Sequence, residues 1–153
     1  MVRIFTDGAC SGSPGAGGWA YIIQFSEKDF KILSGGHRKT FAHQMEARAI
    51  IEALKYVDNF FISDEEIKVF CDQKGLVDVL QQMQLGIKTK PFRESEDLWV
   101  ELEALVLRHP EVKFKWIRRG KNKFNMLVDM LAKHQKDYRR QLKNLRMEFL
   151  LDD

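Results

Sequence analysis

The hydrophobic period of this chain changes near Gln44, and that change limits what the chain can fold into. Ahead of it, Val2 to Thr6, Trp19 to Phe25 and Lys31 to Gly35 are β-rich segments, which predicts three strands in an antiparallel meander. The first strand is expected to end at Asp7, and the glycine-rich run from Gly8 to Gly18 to form a tight, irregular connection. Behind the change, Ile50, Ala53, Leu54 and Val57 share one helical face, and Glu46 lies at the head of the same stripe, so a carboxylate points inward. Glu66 to Cys71 then reads as a fourth strand ending at Asp72, followed by a helix buried through Leu76, Val79, Leu80 and Met83. A loop from Leu85 to Arg93 precedes a helix from Glu96 to Arg108 with the stripe Leu98, Leu102 and Leu105, closed by Pro110. Val112 to Ile117 alternates as a fifth strand, and a basic loop from Arg118 to Phe124 leads into a long helix from about Asn125. Strands followed by alternating helices and strands predict an α/β fold, a mixed sheet flanked by helices.

The last helix repeats Leu127, Leu131, His134, Tyr138, Leu142, Leu145 and Phe149 at spacings of three and four, which predicts one apolar face with His134 packed on it. Trp99 and Trp116 are expected in or near the core, and Trp19 at the start of a strand. Residues 133–148 hold six bases against two acids, within a chain whose 25 bases and 22 acids otherwise nearly balance. The chain from 139 to 153 is expected to be a helical extension of a domain spanning 1–138. It reads either as a solvated face or as an arm for nucleic acid or a partner.

With 153 residues the chain fits one domain, possessing no apolar run long enough to span a membrane and no signal-peptide plan at Met1 to Asp7. Cys10 and Cys71 form neither a CxxC pair nor a zinc framework, so a reducing cytosol is the expected compartment.

Two strand ends share one pattern, Ile4-Phe5-Thr6-Asp7 and Val69-Phe70-Cys71-Asp72. As parallel neighbours they would deliver two carboxylates to one end of the sheet on matching faces. Glu46 and Asp129, each near the start of a helix, bring the set to four acids. Such a cluster needs a divalent cation, and hard oxygen ligands suit Mg²⁺ or Mn²⁺, which points to phosphoryl transfer. The bland alternative makes these acids strand-end caps and helix-start carboxylates favoured by the dipole.

The run Thr6-Asp7-Gly8, with Gly12-Ser13-Pro14-Gly15 and Gly17-Gly18 after it, resembles the strand-one motif of type 1 ribonuclease H. Met45-Glu46-Ala47 resembles that family's helix-one motif, Phe70-Cys71-Asp72 its strand-four aspartate, and Asn125 to Ala132 its N-x-x-x-D-x-L-A helix. Four motifs in order are specific together where each alone is weak. The resemblance implies a ribonuclease H fold of sheet order 3-2-1-4-5 and an endonuclease that cuts the RNA strand of RNA/DNA hybrids to 5′-phosphate and 3′-hydroxyl ends. It implies two Mg²⁺ ions, with Mn²⁺ as a substitute, held by Asp7, Glu46, Asp72 and Asp129, Asp7 bridging both and Glu46 near a ribose 2′-OH. It implies substrate contacts from Gly8, Cys10, Ser13, His43, Gln44, Gln73, Lys74, Arg118, Lys121 and Asn125, and neither a membrane partner nor an organic cofactor.

The chain departs from the family where Ser13 replaces an asparagine, where Ala42-His43-Gln44 precedes Met45, and where Gln73-Lys74 follows Asp72. No histidine stands in the loop after the fifth strand, so Arg118 or Lys121 is left to assist product release. Lys88, Lys90 and Arg93 are the expected partial substitutes for a missing basic protrusion, and with no hybrid-binding module expected ahead of residue 1 the remaining affinity falls to the catalytic body and the last helix. Two rivals follow: a silent nucleic-acid-binding module of the same fold, and a related nuclease or resolvase.

Overall fold

A computed structural model describes residues 1–60, 64–90 and 95–144. The element order is β1 (Val2–Cys10), β2 (Gly15–Gln24), β3 (Phe30–Thr40), α1 (Ala42–Phe60), β4 (Ile67–Cys71), α2 (Lys74–Gln84), α3 (Glu96–Arg108), β5 (Lys113–Trp116) and α4 (Lys123–Asn144). The strands form one sheet in the order β3-β2-β1-β4-β5. The β1-β2 and β2-β3 pairs are antiparallel, and the β1-β4 and β4-β5 pairs are parallel. The hairpins at the start of the chain and the helical crossovers after Gln44 dictate that mixture.

The sheet buries two unlike faces. One is packed with large side chains, where Ile4, Tyr21, Ile23 and Val69 meet Ile50, Leu54 and Leu102 of α1 and α3. The other is smaller: Phe5, Ala20 and Ile22 meet Val128 and Ala132 of α4, with Phe5 stacked on Phe70 at 5.2 Å between ring centroids. The register pairs Phe5 with Phe70, so the residues two positions on, Asp7 and Asp72, leave neighbouring strands on the same face.

Two expectations about the strands are corrected. Strand β1 does not stop at Asp7, because Gly8, Ala9 and Cys10 pair with Trp19, Gly18 and Gly17, leaving only residues 11–14 as the connection. The glycines are there for close approach. A Cβ at Gly8 would lie 2.4 Å from the Glu46 backbone nitrogen, and one at Gly18 would lie 2.2 Å from the Ala132 carbonyl oxygen. Both sites need a hydrogen where any other residue has carbon. Trp19 accordingly sits well inside β2, buried and stacked on Tyr21 at 6.4 Å.

The last helix is also corrected. It is buried through Asn125, Val128 and Ala132; of the expected apolar stripe Leu131 packs partly buried against this core, while Leu127, His134 and Tyr138 are exposed. Where a helix backbone lies directly on Gly18, only short side chains fit beneath it, and the bulkier stripe is turned outward. Helix α4 crosses residues 138 and 139 without a break, and Arg139 still packs against Gly36 of β3. Arg93, Leu145 and Phe149 lie outside the described residues. Trp99 is buried as expected, but Trp116 is 49% exposed, its indole N–H donating to the Asp72 carbonyl at 3.2 Å. Among the described residues no helix is long and apolar enough to cross a membrane.

Candidate active site

Four acids reach one end of the sheet from four elements: Asp7 from β1, Glu46 from the first turns of α1, Asp72 from the end of β4 and Asp129 from α4. Two local devices bring the helices in. Gly8 lets the N-terminal turn of α1 rest on β1, so Glu46 follows the residue whose backbone touches that glycine. Gly18 does the same for α4 on β2. The start of α1 is fixed by Gln44, whose Oε1 accepts from the Phe41 N–H at 3.2 Å and from the Thr40 hydroxyl at 2.6 Å, the return half of a capping box.

Asp7 is the hub, in electrostatic contact with Asp72, Glu46 and Asp129. Its residue is 1% exposed, its Oδ1 accepts from the Gly8 N–H at 2.8 Å, and its carboxyl lies within hydrogen-bonding reach of the Glu46 and Asp129 carboxyls. Burial first, and the charge of Asp72 second, push the Asp7 carboxyl up to about 7. Glu46 is held well above the usual carboxylate range by burial and by the charges of Asp7 and Asp72. The outer acids, Asp72 and Asp129, are each paired with a cation. Burial is the largest single effect on Asp129 and raises it, but Lys133, bonded at 2.9 Å, together with a hydrogen bond from Asp7 and the charge of Arg119 draws that carboxyl below its ordinary value. The Arg119 guanidinium donates to Asp72 Oδ2 at 3.2 Å, and this bond raises the arginine further.

Three carboxylate oxygens, Asp7 Oδ2, Glu46 Oε2 and Asp72 Oδ1, are buried without a hydrogen-bond partner. Buried polar atoms are ordinarily satisfied, so three acceptors without a donor in one acid cluster are satisfied by a proton shared between the carboxyls or by a cation from outside the chain. Hard anionic oxygens of this kind fit Mg²⁺ or Mn²⁺. Cys71 adds a soft atom, since its Sγ lies with ligand oxygens of Glu46 and Asp72 in a group whose atoms are all within 4.8 Å of one another. Burial and the neighbouring acids push the Cys71 thiol up.

Beside Glu46 a cavity of about 420 Å³ opens between α1, α2 and α3, with His43 and Gln73 at polar positions and Leu76, Val79 and Trp99 as its apolar wall. His43 and Gln73 therefore stand together on a groove that runs to the acids, with exposed Lys74 next to Gln73. Ser13 is exposed in the β1-β2 turn. Arg118 and Lys121 are exposed on the loop after β5, where Arg119 is the residue that bonds the cluster. A choice among adjacent loop bases is invisible in sequence, because it depends on which way the loop turns.

Four of the expected substrate contacts have structural work in the fold. Gln44 caps α1. Cys10 directs its thiol at the carbonyls of Gly12, Thr40 and Gly15, at 3.0, 3.3 and 3.5 Å. Asn125 is 1% exposed, and its Oδ1 accepts from the Gly120 N–H at 3.1 Å, tying the basic loop to α4. Gly8 is likewise filled by helix backbone.

The sequence model of the RNase H family matches residues 1–137. A ribonuclease H of Ehrlichia ruminantium (strain Gardel) is 33% identical over 139 residues, covering 88% of this chain and 93% of the relative. One from Erythrobacter litoralis (strain HTCC2594) is 38% identical over 146 residues, covering 89% and 96%. In fold, the chain is similar to the N-terminal RNase H domain of a Mycobacterium tuberculosis protein, with a TM-score of 0.74 at 21% identity over 92% and 96% of the two chains. It is also similar to LC11-RNase H1, solved in complex with an RNA/DNA hybrid, with a TM-score of 0.72 at 23% identity over 90% and 98%.

Proposed function

This chain belongs to the ribonuclease H family as a type 1 member, and we propose that it cuts the RNA strand of RNA/DNA hybrids with Asp7, Glu46, Asp72 and Asp129 as its metal-binding carboxylates. The observation that carries this proposal is the set of three buried, unpartnered carboxylate oxygens on Asp7, Glu46 and Asp72. Two divalent ions, Mg²⁺ or Mn²⁺, would supply an activated water and stabilisation of the leaving oxygen, giving 5′-phosphate and 3′-hydroxyl ends.

The residues of the chain itself do the positioning. Asp7, central in the cluster, is the bridging candidate, and its Oδ1 is held in place by Gly8. Arg119 keeps the Asp72 carboxylate oriented while the acids are otherwise uncompensated, and Lys133 does so for Asp129. Glu46 borders the groove that carries His43 and Gln73, which suits contacts to a ribose 2′-OH, the group that separates RNA from DNA. Arg118, Lys121 and Lys74 project from the rim, where exposed bases attract the phosphate backbone in a salt-dependent way. A reducing compartment suits the two free thiols.

The test is cleavage of a labelled RNA/DNA hybrid beside single-stranded RNA, duplex RNA and duplex DNA, with Mg²⁺, Mn²⁺ or EDTA. Hybrid-specific cutting abolished by EDTA is the expected result. Binding of hybrid without cleavage in either metal would replace the enzyme by a binding module.

A further inference from the structure

The same end of the sheet holds a group that phosphoryl transfer does not need. Cys71 is 1% exposed, and its Sγ shares a cluster with Glu46 and Asp72 in which every ligand atom lies within 4.8 Å of the others. We propose that Glu46, Cys71 and Asp72 form a binding site for a borderline-to-soft divalent cation, Zn²⁺ or Cd²⁺, and that such an ion shuts the protein off by taking two carboxylates away from the hard-metal arrangement.

Strand geometry places the three ligands around one point. Cys71 follows the inward alternation of Ile67 and Val69 toward α1, and Asp72 emerges toward α4. Glu46 reaches over the strand end from α1. Glu46 Oε2 and Asp72 Oδ1 are both buried without a hydrogen-bond partner, Glu46 is 6% exposed, and the Asp72 side chain is fully buried. Both carboxylates thus offer a vacant acceptor beside the thiol. The sulfur itself only accepts the Gln73 N–H, at 3.4 Å.

The chemistry of the donor set selects the ion. Mg²⁺ takes oxygen ligands, whereas zinc bonds thiolate sulfur at about 2.3 Å and carboxylate oxygen at about 2.0–2.2 Å, so tetrahedral ligands on one ion lie about 3.5 Å apart. Contraction from the observed spacing requires rotations of the Glu46, Cys71 and Asp72 side chains about their own torsions. On binding, the sulfur lone pair forms the metal-sulfur bond and the thiol proton leaves to solvent, with no change of oxidation state. Cys10 offers no equivalent, because its sulfur faces three backbone carbonyls.

The test requires no substrate and does not rest on hybrid cleavage. Cd²⁺ is titrated into the full chain in chelator-free buffer while the ultraviolet thiolate-to-metal charge-transfer band is followed, for wild type, Cys71→Ser, Cys10→Ser and Glu46→Gln. The expected result is a band saturating at one equivalent in wild type and Cys10→Ser, absent in Cys71→Ser, and formed about tenfold more weakly or worse in Glu46→Gln. A wild type without the band, a band that survives Cys71→Ser, or unchanged Cd²⁺ affinity in Glu46→Gln would overturn the proposal. Near-ultraviolet circular dichroism checks the fold of each variant, with Cys71→Ala replacing Cys71→Ser if the latter does not fold. In a parallel assay, saturating Cd²⁺ should abolish hybrid cleavage by wild type, with a half-inhibiting concentration that rises with Mg²⁺ because the two ions compete for Glu46 and Asp72, and cleavage unaffected by saturating Cd²⁺ would overturn the inhibitory half. A wild type that cuts no hybrid even without Cd²⁺ would count against the proposed function and leave the absorption result standing.

Discussion

The two faces of the sheet are held by different means. Under α1 and α3 the packing is bulky, with Ile50, Leu54 and Leu102 filling space between helix and strand. Under α4 it is close, with helix backbone set directly on Gly18, Val128 and Ala132 buried beneath it, and Phe124 and Leu131 packed partly buried at the side. Each face delivers acid to the same cluster, Glu46 from α1 and Asp129 from α4. Bulk supplies stability, and closeness supplies position. A cavity on the first face weakens the fold and spares the site, whereas added volume on the second moves a ligand.

Substitutions at Gly18 and Leu54 test that difference most strongly. Gly18→Leu forces a side chain to within 2.2 Å of the Ala132 carbonyl and must lift α4. Overpacking of this kind costs about 3 kcal/mol or more, and hybrid cleavage should be lost even in the fraction that remains folded. Denaturant unfolding and cleavage of the same preparation check both halves. Leu54→Ala should cost a comparable 2–5 kcal/mol, on the order expected for a buried leucine, but cleavage per folded molecule should stay within about twofold of wild type. Equal loss of activity in the two variants would break the comparison.

The pH dependence of metal-free stability is a finer probe. Burial and the Asp72 charge push the Asp7 carboxyl up to about 7 from an ordinary 3.8, so between those values the folded state binds more protons than the unfolded. Stability from Asp7 is therefore full below about pH 4 and is lost as pH rises toward 7, a fall of a few kcal/mol in order of magnitude. Asp129, whose carboxyl is lowered, acts in the opposite sense, losing its contribution as pH falls below the ordinary aspartate range. Thermal unfolding from pH 4 to 8 in EDTA should show the decline, and millimolar Mg²⁺ should flatten it by binding the ionised acids. A Mg²⁺-independent profile would contradict the assignment of the cluster.

Arg119→Gln should give the smallest effect. The Arg119 side chain is 64% exposed, so its ion pair with Asp72 is worth about 1 kcal/mol or less. Removing a competing cation should tighten Mn²⁺ binding by about two- to fivefold, read by calorimetry. Weaker binding would mean that orientation of Asp72 outweighs its charge compensation.

The bulky face was legible in the sequence, and the close face was not. Strands β4 and β5, helix α3 and the inward Glu46 follow from alternation and from the Ile50, Leu54 and Val57 spacing, because large apolar residues mark what they bury. On α4 the same rule selects Leu127 and Tyr138, which are exposed, since contact through Gly18 and Ala132 leaves no hydrophobic signal. Strand β1 extends beyond Asp7 for the same reason, with glycines read as a turn serving as strand positions under helix backbone. The four acids were legible because two share a strand-end pattern and all four fall in family motifs. The hydrogen bonds around them were not: a polar side chain such as Gln44 or Asn125 does not announce in sequence that it serves a helix cap or a loop tie, which its surroundings set.

The most direct test of the central claim is the rate of hybrid cleavage in Mg²⁺ by Asp7→Asn against wild type, each shown to be folded. Asn keeps the size of the side chain and removes the charge at the centre of the cluster. The account predicts a rate lower by about a thousandfold or more, as for other residues acting as one catalytic unit. An Asp7→Asn protein that cuts the hybrid at a rate near that of wild type would contradict it.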